Sequence, residues 1–170
     1  RQVLDGPEVT RDLRRLMNWW YRERTLQAEN RTEQMTDHKF YDGEQWTDED
    51  EQTLKGRGQK ALVFNQIKPT LDWILGTDKK TRIDYKILPR RKEGGPNAEI
   101  KTKGMKYISD VNKEPFQRSR AFEDTTKGGL GWLEVGCRMD PTDEKVFVRY
   151  EDWRNMWYDS LATELDCSDA

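Results

Sequence analysis

The single histidine, His38, is the one imidazole available to a metal site or to a nucleophile and base relay. No Cys or His stands at ligand spacing from it, and its polar neighbours predict a loop, so a structural histidine is the simpler reading. Acids crowd between Asp42 and Glu51, where a nuclease could hold Mg²⁺. A two-metal site, however, needs carboxylates converging from separate elements, and helix capping already accounts for three of these. The run Lys55-Gly56-Arg57-Gly58-Gln59-Lys60-Ala61 lacks the G-x-x-x-x-G-K-[ST] spacing that cradles phosphate. Gly128-Gly129-Leu130-Gly131 precedes a predicted strand, where a dinucleotide fingerprint would follow one; its glycines read as a helix stop and a close backbone approach. Seven Trp raise the question of base stacking. Trp20 and Trp73 read as helix-face core and Trp132 as the inner face of a strand, which leaves Trp19, Trp153 and Trp157 as candidates for a surface between subunits. No catalytic, metal or cofactor site is expected.

The elements that would position these residues are lean in aliphatic side chains. In 170 residues, 13 Leu, 6 Ile, 7 Val and 5 Phe make about 18% of the chain, while 36% is charged and the formal net charge is only -2. Disorder combines low hydrophobicity with high net charge, and the second condition fails here. Aromatics at 11% argue for order, because each ring buries a large area. The composition excludes a membrane span, a disulfide-stapled chain and a uniformly basic nucleic-acid module; it fits a soluble piece whose aromatic surface needs a neighbour. Cys137 and Cys167 set no disulfide framework, so a reducing compartment is expected. Arg1 reads as internal to a longer chain, and the end at Asp169-Ala170 looks equally arbitrary.

Charge is segregated along the chain. Residues 37–51 carry seven acids against Lys39, residues 52–92 carry eleven bases against three acids, and the last fifty residues carry twelve acids against five bases. Solvated faces are the plain reading of such blocks. Complementary contact between copies of the chain is the sharper one, and direct phosphate binding by the basic block the third.

Periodicity predicts helices first and a small sheet last, an α+β layout. Val9, Leu13, Leu16, Met17 and Trp20 share a helical face, in a helix expected from Glu8 to about Met35 whose part beyond Leu26 continues as an exposed arm. Thr47-Asp48-Glu49-Asp50 caps a second helix, stopped by Gly56 and Gly58. Ala61 to Phe64 reads as a short strand or extended piece, Asn65 as the cap of a helix ending near Gly76, and Arg82 to Leu88 as a strand closed by Pro89, with Ile83, Tyr85 and Ile87 on one face. Gly94-Gly95-Pro96 leads into a helix with Ile100, Tyr107, Ile108 and Val111 on one face, and Glu114-Pro115 opens another with Phe116 and Phe122 inward. Leu133, Val135 and Cys137 then face one way, Asp140 to Asp143 turn the chain, and Val146, Val148 and Tyr150 answer; Arg154 to Tyr158 could extend this hairpin into a β-meander. The expected units are a helical arm at 1–36, a mainly helical region at 37–127 and the meander at 128–170.

Several of these stretches together carry a resemblance. Phe40-Tyr41-Asp42-Gly43-Glu44-Gln45-Trp46, then Asn65-Gln66-Ile67, the helix closing on Gly76, the segment closing on Pro89, Gly128-Gly129-Leu130-Gly131-Trp132, and Asp166-Cys167-Ser168-Asp169-Ala170 occur in order. The set resembles the amino-terminal region of tailed-bacteriophage portal proteins, in particular those of short-tailed Salmonella-type phages. The likeness covers residues 38–89 and 125–170. Asp159-Ser160 departs from it, since Asp-Pro is expected there.

The resemblance implies a structural, non-catalytic subunit of a dodecameric ring at one capsid vertex of the virion, assembled in the host cytoplasm. Terminase drives double-stranded DNA through such a ring, and tail adaptor proteins bind it later; coat and scaffolding proteins are further partners, and no membrane is involved. This stretch would be the amino-terminal part of the outward wing, preceding the channel-lining stem, so it would meet DNA through parts outside this chain. Trp19, Arg90, Arg91, Lys92, Trp153 and Trp157 are the candidates for contact between subunits. The alternative from another class is a nucleic-acid-binding or metal-dependent nucleic-acid-processing domain.

Overall fold

The predicted first helix is longer than its apolar pattern and packs by its other end. In a computed structural model of the chain, which describes residues 7–81, 84–91, 94–140 and 142–164, α1 spans Pro7–Leu26 and α2 spans Ala28–Asp42. The two are nearly continuous, because Gln27 N–H donates to Glu23 O and Arg31 N–H to Gln27 O across the junction. The expected loop from about Met35 is therefore helix as far as Gly43, whose left-handed φ of +93° ends α2. The expected faces are also exchanged. Leu13, Leu16 and Met17 are exposed, while Glu23, Gln27 and Tyr41 are buried and Arg31, Gln34 and His38 half-buried. These six fall at helical spacing on one stripe, and five of them are polar, so a search for apolar periodicity passes over it.

The short acidic helix α3, Asp48–Gly56, forms as expected: Thr47 Oγ1 accepts from Asp50 N–H at 3.2 Å, and four acids fill the first turn. Helix α4 runs Ile67–Lys80, past the expected stop at Gly76. Its start is fixed by Asn65, whose Oδ1 accepts from Ile67 N–H at 3.0 Å and from Lys68 N–H at 3.1 Å. Pro69 sits in that first turn, where a missing N–H is tolerated.

Neither of the two early strands forms a ladder. The 59–66 segment ties its backbone to Trp46, whose Nε1 donates to Leu62 O at 3.2 Å, and residues 84–89 lie along α5 (Gly95–Val111), with Ile87 N–H donating to Thr102 Oγ1 at 3.1 Å. The predicted alternation is still visible, since Tyr85 and Ile87 are half-buried between exposed neighbours. An indole N–H in one case and a threonine hydroxyl in the other take the place of a partner strand. Arg82, Ile83, Lys92 and the Asp166-Ser168-Asp169 element lie outside the described residues.

Helix α6, Glu114–Gly128, is the hub: it packs on α2, α4, α5 and both strands of the sheet. Phe116, expected inward, is exposed, and the side chain that α6 buries most completely is Ala121. The sheet is the hairpin of β1, Trp132–Cys137, and β2, Val146–Glu151, antiparallel with Val135 opposite Val148. Its period is the predicted one and its face is not, since Leu133, Val135 and Cys137 are the exposed residues of β1. The expected third extended piece begins instead as a 3₁₀ turn, Trp153–Asn155, and adds no strand. The α+β class holds, with buried apolar side chains at Tyr41, Leu75, Ala98, Ala121 and Trp153.

Candidate assembly surfaces

The junction of α1 and α2 is clamped to residues 153–160 by polar groups. Glu23, fully buried, accepts from Gln27 Nε2 at 3.0 Å, from Ser160 N–H at 3.1 Å and from Arg22 at 2.9 Å. Burial alone would raise its pKa, but these hydrogen bonds outweigh it and hold the carboxyl at about 2. Arg22 and Trp19 Nε1 both donate to Asp159 Oδ2 at 3.1 Å, and Gln27 Nε2 also donates to Tyr158 O at 2.6 Å. Here the departure from the portal pattern at Asp159-Ser160 has a structural counterpart. Ser160 supplies a backbone N–H to Glu23 that proline lacks.

A carboxylate with a depressed pKa stabilises the fold above its unfolded pKa and loses that contribution as the pH falls towards its folded value. Glu23→Gln is therefore expected to cost about 2 kcal/mol near neutral pH, the scale of a hydrogen bond to a charged group. The difference from the unsubstituted chain should shrink from about pH 4.5 downwards and vanish near pH 2. Urea unfolding followed at several pH values checks this; a difference independent of pH would refute the assignment of the charge.

One turn along α2, Arg31 stacks 3.6 Å from the Trp157 ring and donates to the carbonyls of Arg154 and Met156. His38 stacks on Trp153 with ring centroids 5.4 Å apart and an interplanar angle of 20°. His38 is thus a helix-face residue in the packed layer. Trp153 is only 6% exposed, and this packing inside the chain replaces the expected contact between subunits for that residue. Trp19 and Trp157 are half-buried in the same clamp.

Several residues of the portal-like motifs meet at a second knot. Asn65 Nδ2 donates to Phe40 O at 3.2 Å and Tyr41 O at 2.9 Å while its Oδ1 caps α4, so one side chain joins the end of α2 to the start of α4. Gly43 permits the left-handed turn between them, Gln45 is half-buried beside it, and Trp46 reaches Leu62 O. Tyr41 OH donates to Asp72 Oδ1 at 2.5 Å; this bond, with burial, pushes the phenol pKa up to about 12. Gly128 O accepts from Gln34 Nε2 at 3.0 Å, and Gly129 closes α6 at φ +86°. Gly131 lies so close to α6 that an added Cβ would stand 1.9 Å from Ala121 O. Gly76 and Pro89 take no part in either knot.

The free surfaces are elsewhere. Trp73, read from the sequence as core, is 73% exposed on the outer side of α4, and Phe64 is 83% exposed just before that helix. In α4 Leu75 is buried and Leu71, Ile74, Gly76 and Asp78 are half-buried, on a side that omits Trp73. Of the basic block, Lys79, Lys80, Arg90 and Arg91 are exposed as well. Among the described residues no group of three or more His, Cys, Asp or Glu could hold a metal ion, and no helix is long and apolar enough to cross a membrane.

A chain held by polar knots, with large rings and segregated charge on its surface, falls into a structural class, the portal proteins of bacteriophage heads. A family model described as Phage P22-like portal protein matches residues 17–170, and the chain belongs to that family. It is accordingly a head-to-tail connector component with a structural part in DNA packaging. Compared one by one with curated proteins, the chain matches none.

Proposed function

We propose that this chain is the amino-terminal part of the outward wing of a dodecameric portal ring at one capsid vertex, around the path of double-stranded DNA, to which terminase and, later, tail adaptors attach. The observation that carries the reading is the family match over residues 17–170. Coat and scaffolding proteins are the further partners that such a position requires. In this reading the wing contributes surface and rigidity, and no catalytic step.

Contacts between subunits fall to the exposed groups. The basic residues Lys79, Lys80, Arg90 and Arg91 face solvent in this chain, and the last fifty residues are strongly acidic, so neighbouring copies can set one block against the other. Charge reversal of these four residues in the full-length protein should lower the number of rings in electron micrographs at physiological salt. Rings in undiminished number would remove the basic block from the account.

A further inference from the structure

We propose that the outer edge of β1 receives residues 59–65 of a second copy of this chain as an added strand. This rests on the portal reading above and specifies how neighbouring subunits join.

The hydrogen bonds of β2 show which edge is open. On the side away from β1, Val148 N–H donates to Asn112 Oδ1 at 3.2 Å, Val146 O accepts from Asn112 Nδ2 at 3.1 Å, and Tyr150 N–H donates to Gln117 Oε1 at 3.1 Å. Residues 146, 148 and 150 thus turn their peptide groups outward, and 147, 149 and 151 turn theirs to β1. Given the register, Trp132, Glu134 and Gly136 bond β2, so Leu133, Val135 and Cys137 direct their N–H and C=O groups away from it. Side-chain amides close the β2 edge, while no protein group meets the peptide groups of these three residues on β1. An open edge beside exposed Leu133 and Val135, the latter 68% exposed, is a template for an incoming strand.

The occupant is the stretch 59–65. From Lys60 to Phe64 it has no helical or ladder bonds, and its exposure alternates, with Ala61 and Val63 half-buried and Leu62 and Phe64 exposed. Leu62 O is turned to Trp46, so in an extended backbone Ala61 and Val63 direct their peptide groups to the opposite, unoccupied edge. Charge favours the pairing: residues 55–68 carry four bases and no acid, and residues 130–152 six acids against three bases. Within one copy, Asn65 and Trp46 hold the segment against α2 and α4, so its partner edge comes from another copy. Donor and acceptor surfaces differ, which makes the contact head-to-tail, the kind that passes from copy to copy and closes into a ring.

Native Cys137 stands exposed at the end of β1 and supplies the test. In the full-length protein carrying Cys167→Ser, Ala61→Cys and Phe64→Cys are made separately, each placed for one of the two strand directions. Adjacent strands lie about 4.8 Å apart, within disulfide range, and position 61 faces Cys137 of the next copy if the strands run antiparallel, position 64 if they run parallel. Mild oxidation after assembly should give one of the two variants a ladder of covalent oligomers extending beyond the dimer. Val135→Pro should in addition lower the yield of rings while leaving the circular dichroism unchanged, because the N–H it removes is not part of the β1–β2 ladder. Rings that form without either crosslink, or crosslinks that stop at dimers, would overturn the strand contact and leave the portal reading standing. Absence of rings from the unsubstituted full-length protein would instead overturn the portal reading. If Val135→Pro fails to fold, the crosslinks decide alone.

Discussion

Trp153→Ala is expected to destabilise this chain by about 4 kcal/mol, the scale for truncating a buried large aromatic side chain. Trp153 is the largest buried apolar side chain among the described residues, stacked on His38 and approached by Arg31, and it pins the turn after the hairpin to α2. Its loss would leave a cavity lined by an imidazole and a guanidinium, which cannot collapse into an apolar contact. Trp73→Ala provides the comparison, since an exposed ring away from other features should change stability by no more than about 0.5 kcal/mol. Urea denaturation, read as a shift in midpoint at unchanged slope, distinguishes the two. Equal costs at the two positions would contradict the assignment of inside and outside.

Gly131→Ala follows, at about 3 kcal/mol, for a reason of space rather than backbone freedom. The added methyl group would stand 1.9 Å from Ala121 O, 2.7 Å from Ala121 C and 2.5 Å from Thr125 Oγ1. Two of these are backbone atoms of α6, the hub against which α2, α4 and the sheet pack, so the helix cannot withdraw without disturbing every interface at once. Gly136→Ala should cost less, because the obstacle at 2.6 Å is the Phe147 ring, a side chain that can turn. Thermal unfolding of both variants tests the order; a mild Gly131→Ala would mean that the lead-in to β1 is not pressed on α6.

What was legible in the sequence, and what was not, follows from the chemistry of the buried surfaces. Thr47 and Asn65 announced their helices, because capping depends on the side chain and its immediate neighbours. The helices and the hairpin could be read from their periods. The faces could not, since the stripe from Glu23 to Tyr41 is polar and satisfied by hydrogen bonds, a pattern that apolar periodicity scores as solvent-exposed. On β1 the aliphatic row points outward, so the rule that apolar residues face the core failed there and at Trp73 for the same reason. Asn65 and Gly43, both in the portal-like motifs, are far apart in sequence and adjacent in the fold, a meeting that no local pattern announces.

The lean aliphatic content described by the composition thus corresponds to a core of few apolar residues supplemented by buried polar clamps, with large rings left on the outside. In the proposed reading those rings and the segregated charges are surfaces for neighbours. The most direct test is an electron micrograph of the full-length protein. The account predicts a closed ring with a central hole and twelvefold symmetry, as the resemblance to portal proteins implies; monomers, dimers or open filaments at concentrations suited to assembly would contradict it.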